Sequence, residues 1–112
     1  MTGEPTYIEL GVPDATAARA FYAAVLGWPG GPSAGAGQVD TLTLDIGVHD
    51  GDDERHFEVF FAVDDLDGAL DKVVESGGRV VSDVHDTAGF GRWVECADDQ
   101  GVRFGLRQQS AG

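Results

Sequence analysis

Two glutamates, Glu9 and Glu58, are the residues of this sequence best placed for acid–base chemistry, because each sits on the polar side of an alternating apolar–polar stretch. Paired carboxylates serve as general acid and base when burial and mutual repulsion split their pKa values. The same alternation puts Tyr7, Thr41, Thr43, Asp45, Phe60, Arg103 and Arg107 on the faces that carry Glu9 and Glu58. Trp93 and Glu95 join them if Val94 and Cys96 lie in the core. Aromatic rings mixed with both signs of charge are a usual lining for a small-molecule site. Acidic walls favour a cationic or hydrogen-bond-donating ligand, and a planar one could stack on Trp93 or Phe60. A plainer reading of the same residues has Glu9 and Glu58 pairing with Arg103 and Arg107 across a sheet, and Trp93 and Phe60 serving as packing or as a contact with a second copy.

Other reactive residue types contribute less. His49 and His85 read as loop residues, and His56 lies on the Glu58 face near an exposed strand start. His56, Glu58, Glu9 and Asp45 would form an unconventional metal site only if they converged. Cys96 reads as a small buried apolar residue, with no histidine near it in sequence to make it a nucleophile. The run Asp50, Asp52, Asp53, Glu54 reads as a solvated loop, since its spacing lacks the alternating ligands and closing glutamate of a calcium loop. The glycine- and proline-rich stretch 28–37 is not followed by Lys-Ser or Lys-Thr, which argues against a phosphate-binding loop.

The elements that must position these side chains repeat. The stretch VFFAVDDLDGALDKVVESGG, Val59 to Gly78, is a strand, an acidic turn, an amphipathic helix and a double-glycine stop; displaced by 51 residues, Val12 falls on Val63, Asp14 on Asp65, Ala18 on Ala69 and Gly27 on Gly78. A strand is predicted from Thr6 to Val12, with Ile8, Leu10 and Val12 facing the core. Asp14 then caps a helix over about 15–26 whose stripe is Ala18, Phe21, Tyr22, Val25 and Leu26. Alternation from Val39 to Val48, with Leu42, Leu44 and Ile46 inward, predicts another strand. In the second half, Phe57 to Val63 is a strand and Asp65 caps a helix with the stripe Leu66, Ala69, Leu70, Val73 and Val74. Three more strands are predicted at about 79–84, 92–97 and 102–107. The expectation is a single α+β domain over 1–112, with one module at about 6–50 and a second at about 56–108.

Seven basic against twenty acidic residues give a net charge of −13, which repels nucleic acid. No apolar run is long enough to span a membrane and no secretory pattern opens the chain; with its single cysteine, this gives a cytoplasmic expectation.

The VPD turn, the AARAFY helix and LGW of the first half, followed by FFAVDDLDGALDKV, a GG pair, GFGRW and ADDQGVRFGL, resemble the vicinal oxygen chelate superfamily. That group includes glyoxalase I, the bleomycin resistance proteins and extradiol dioxygenases. The resemblance implies two βαβββ modules, the first trimmed, whose mixed sheet curls into an open cup with a helix behind each module, and which usually completes itself as a homodimer. It also implies metal-ligand positions at Tyr7, Glu58 and Gly105, with a fourth near Thr43 or Asp45. Glu58 alone of the first three is a plausible ligand, too few for a divalent cation. The expectation is therefore a protein that binds or sequesters an unidentified small molecule through Tyr7, Glu9, Asp45, Glu58, Phe60, Trp93, Glu95, Arg103 and Arg107, without a cofactor or glyoxalase-type metal. The alternative is a glyoxalase-like lyase or isomerase, metal-dependent or metal-free, using Glu58, with Glu9 as a second catalytic candidate.

Overall fold

A computed structural model describes residues 2–41 and 43–109. It is α+β, with strands and helices in the order β1 (Pro5–Gly11), α1 (Ala15–Leu26), β2 (Gly37–Val39), β3 (Asp45–His49), β4 (His56–Ala62), α2 (Leu66–Glu75), β5 (Arg79–Val80), β6 (His85–Thr87), β7 (Gly91–Ala97) and β8 (Arg103–Gln108). The chain divides into two compact units, one Tyr7–Glu58, the other the N-terminal lead to Thr6 together with the chain from Val59 onward.

In the unit Tyr7–Glu58, β1 runs parallel to β3, and β2 pairs antiparallel with β3. Asp14 accepts from the Ala17 amide at 3.0 Å and Gly27 closes α1 in the left-handed conformation at φ 75°, so both ends of the helix are written locally. Leu10, Ala15, Val39 and Val48 form the core, with Val12, Tyr22, Trp28 and Ile46 against it. Two expectations are corrected here. The strand predicted over Val39–Val48 is a hairpin: the Thr41 hydroxyl binds the Leu44 carbonyl and accepts from the Thr43 and Leu44 amides, turning the chain and taking Thr41 and Thr43 off the strand face. Leu42, expected inward, lies outside the described residues. The α1 stripe is also rotated, since Phe21, Val25 and Leu26 are exposed while Arg19 is buried. Arg19 donates from Nε to the Gly35 carbonyl at 2.9 Å and from Nη2 to the Gln38 carbonyl at 3.4 Å, so the glycine-rich loop draws this side chain under itself.

In the other unit, β4 runs parallel to β8, β7 lies antiparallel to β8, and β5 and β6 each pair with β7. Asp65 caps α2 by accepting from the Gly68 amide at 3.2 Å. Leu66, Val94, Cys96 and Leu106 are buried together, flanked by Phe61, Val63, Ala69, Leu70, Val73 and Phe104. Most of the predicted α2 stripe packs as expected, but Val74 is exposed. The strand expected over 79–84 is realised only as β5, Arg79–Val80; it stops where the Val81 and Ser82 amides both donate to the Glu95 carbonyl, and a further short strand, β6, follows beyond the expected range.

Candidate functional site

The parallel register of β1 and β3 sets Tyr7 beside Asp45, Glu9 beside Gly47 and Gly11 beside His49, so all six lie on one face. Gly47 is what lets this face close: a Cβ there would run into the Tyr7 hydroxyl and the Glu9 carboxylate. A hydrogen-bonded chain crosses it. Tyr7 donates to Glu9 Oε1 at 2.6 Å, His49 Nδ1 meets Glu9 Oε2 at 2.5 Å, and His49 Nε2 meets Asp52 Oδ2 at 2.6 Å. Asp45, in register with Tyr7, is exposed. Glu58 is almost fully buried, with His56 Nε2 3.6 Å from its Oε1.

His49 is therefore a strand residue held between two carboxylates, where a loop residue was expected. The signal was available: Asp45, Gly47 and His49 continue the alternation that placed Asp45 on this face. The acidic run is likewise only partly solvated. Asp50 accepts from the Ala15 amide at 2.7 Å, completing the α1 N-terminus, and the Asp52 amide donates to the Val12 carbonyl. Glu9 binds Tyr7 and His49, and Arg103 approaches Glu95 at 3.4 Å.

Burial opposes the charged form of His49, but hydrogen bonds and charges from Glu9 and Asp52 outweigh it and raise the imidazole above its ordinary value of 6.5. Two carboxylates can only accept, so the doubly protonated ring suits both. The Glu54 amide, then His49, lowers Asp52 below its ordinary 3.8. The signs give a window. The His49 contribution to stability is complete below pH 6.5 and is lost as pH rises through its higher folded value; that of Asp52 is complete above 3.8 and is lost as pH falls through its lower folded value. The melting point is expected to fall on the alkaline side of that window in the native protein and to fall less in His49→Gln. Identical alkaline limbs in both proteins would rule out this clamp as their cause.

The second unit gathers the other expected residues on the face of its sheet opposite α2. The register aligns Phe60, Gly105 and Glu95 in one row and Arg107 with Trp93 in another. Val94 and Cys96 are fully buried on the helix side, which turns Trp93 and Glu95 the other way. Phe60 is buried and meets Phe90 and Trp93 edge to face at 6.3 and 5.8 Å. The Arg107 guanidinium lies 3.9 Å from the centre of the Phe90 ring while donating to the Phe90 carbonyl at 2.8 Å and to Thr6 at 3.1 Å. Trp93 donates from its indole N–H to Thr87 at 2.9 Å and carries His85 stacked at 4.4 Å. His85, expected in a loop, belongs to β6 and is the register partner of Trp93.

The metal positions implied by the resemblance do not fit an ion. Gly105 offers no donor, and the Phe60 ring occupies the space its side chain would take. The Tyr7 hydroxyl is committed to Glu9. The groups around His49 are arranged on opposite edges of its ring, so they share no common point for a cation. Among the described residues no three His, Cys, Asp or Glu side chains are grouped to hold one.

Paired strand–helix–strand modules, each with a helix on one side of a mixed sheet, define the vicinal oxygen chelate class of protein. The chain belongs to the glyoxalase-like domain family, which it matches over residues 7–107. It is 29% identical to the anthracycline biosynthesis protein DnrV of Streptomyces peucetius, the match covering 93% of this chain and 46% of the relative. It is 30% identical to a glyoxylase candidate of Mycobacterium bovis, covering 95% of this chain and 46% of the relative. The chain thus spans about half the length of these curated relatives. Methylmalonyl-CoA epimerase of Streptomyces coelicolor, solved with 2-nitronate-propionyl-CoA, shares the fold with a TM-score of 0.64 at 19% identity, over 99% of this chain and all of the other.

Proposed function

We propose that this protein binds a small planar molecule against Trp93, and does so without a glyoxalase-type metal. The observation that carries the reading is the aromatic face of the second unit, where Phe60 and Phe90 meet the Trp93 ring edge to face and Arg107 braces Phe90. Phe60 is too buried to be a platform itself, so stacking falls to Trp93. Glu95 and Arg103, 3.4 Å apart on the same face, supply polar anchors of both signs. The lack of a donor at Gly105 supports the metal-free part. Relatives named for anthracycline biosynthesis and as a glyoxylase candidate are consistent with a small-molecule role.

An enzymatic reading is favoured by one observation, the burial of Glu58 beside His56, which would suit a general base. We also propose a homodimer, supported by the exposed apolar face of α1 at Phe21, Val25 and Leu26, and a cytoplasmic setting, supported by the single cysteine.

In a Trp28→Phe background Trp93 is the remaining tryptophan, and its fluorescence is expected to be quenched saturably by planar aromatic cations of the acridine type. Trp93→Ala should abolish the accompanying thermal stabilisation, and Glu95→Gln should weaken binding by roughly tenfold. Absence of saturable quenching across such a panel sinks the binding reading. A rise in melting point with nickel, zinc or manganese that disappears in Glu58→Ala sinks the metal-free part.

A further inference from the structure

The helix side of the second unit holds a cavity of about 770 Å³ that the Trp93 face does not use. Its floor is the apolar core left incompletely covered: Val63, Ala69, Val73, Phe104 and Leu106 all line it, and all belong to the cluster packed around α2. At the end of α2, Gly78 comes so close to β7 that a Cβ there would lie 2.6 Å from the Ala97 carbonyl, while Gly68 in the first turn lies under its own cap, Asp65. The chain is thus held close to β7 just past the end of α2, and the small side chain of Ala69 on the helix lines the space.

The rim of this cavity is acidic. Asp64, Asp65, Asp98 and Asp99 stand on it against one ammonium, Lys72, whose own partner is Glu75 at 3.9 Å. Asp65 accepts the Gly68 amide, and Asp98 accepts the Gln100 and Val102 amides at 2.8 and 2.9 Å, bonds that fix these two carboxylates in place on the rim. An apolar floor under a negative rim selects a ligand with an apolar body and a cationic end. The volume is in the range of pockets that hold drug-sized molecules.

We propose that the cavity between α2 and β8 is a second binding site, specific for a lipophilic amine. The apolar body lies on Val63, Ala69, Val73, Phe104 and Leu106, and the ammonium is held at the carboxylate rim. An anionic ligand of the same length meets the rim charge and is rejected.

The probes are decylamine and decanoate, matched in chain length and used below micelle-forming concentrations, titrated into the full chain by calorimetry and by amide resonance shifts. Decylamine is expected to bind at least roughly tenfold more tightly than decanoate at neutral pH and low salt. Its shifts should centre on α2, the 98–101 turn and β8, leaving the Trp93 indole resonance in place. Ala69→Trp should abolish binding with the melting transition retained, and Asp64→Asn with Asp99→Asn should shrink the preference for the amine. If Ala69→Trp does not fold, the resonance map on the native protein still decides. Decanoate binding as tightly as decylamine, shifts centred on Trp93, or undiminished binding in a folded Ala69→Trp would each overturn the proposal.

Discussion

Phe60→Ala is expected to destabilise the protein by about 3–5 kcal/mol, a large share of the roughly 5–15 kcal/mol that holds a domain of this size together. The ring is 3% exposed and rests on Gly105, its register partner across β4 and β8. A deleted phenyl group normally costs its transfer free energy plus the cavity left behind, and neighbours recover part of the loss by moving in. Here the residue directly opposite is glycine, so no side chain stands behind the ring to relax into the space. The edge-to-face contacts with Phe90 and Trp93 go with it, at about 0.5–1.5 kcal/mol for such a pair. Gly105→Val should also be harmful, by about 1–3 kcal/mol, because its side chain would be forced into the Phe60 ring. The double variant is the decisive comparison. If the two residues share one space, the valine partly refills what the lost ring vacates, and the combined loss in urea unfolding falls short of the sum of the single losses. Strict additivity would mean that the ring and the glycine do not oppose each other.

Where local chemistry sets a feature, the sequence is legible. Asp14, Asp65 and Gly27 mark the helix ends because caps and left-handed stops depend on one residue and its near neighbours. The alternation in β1, β7 and β8 assigns Leu10, Val94, Cys96 and Leu106 to the core because a strand buries alternate side chains. What escapes such reading depends on distant partners. Arg19 is buried where carbonyls of Gly35 in the glycine-rich loop and Gln38 in β2 accept from it, and nothing near position 19 announces that. The hairpin between β2 and β3 turns on the Thr41 hydroxyl, whose bonding competes with the extended chain that Thr propensity favours.

The candidate site divides the same way. That Phe60, Trp93, Glu95, Arg103 and Arg107 share a face follows from period-two alternation alone, and the register of β4, β8 and β7 realises it. Their partners do not follow. Within the first unit Glu9 is drawn into the Tyr7–His49–Asp52 chain, and within the second Arg107 makes the Phe90 and Thr6 contacts, neither of which alternation announces. The helix-side cavity is invisible to pattern reading for a different reason: it is lined by Ala69, Gly68 and Gly78 among larger apolar residues, and the stripe pattern registers apolarity without volume.

Volume also decides the second large effect. Leu66→Ala should cost about 2–5 kcal/mol, while Val74→Ala on the same helix should stay within about 0.5 kcal/mol. The helical stripe counts both as core, since both are apolar and share the spacing of Ala69, Leu70 and Val73. Their surroundings differ completely. Leu66 is fully buried in the cluster with Val94, Cys96 and Leu106, and its amide, one of the donors a helix start leaves unsatisfied, is taken by the Gln108 side chain at 2.7 Å. Truncating it opens a cavity between α2 and the sheet at the point where that hydrogen bond fixes the helix, so backbone collapse into the space would break the bond. Val74 is 63% exposed, and removing its methyl groups takes little from the core. Unfolding midpoints for the two variants therefore distinguish burial from pattern: comparable losses would restore Val74 to the buried face and rotate α2 relative to the sheet, whereas a loss confined to Leu66→Ala locates the anchor of the helix at its first residue.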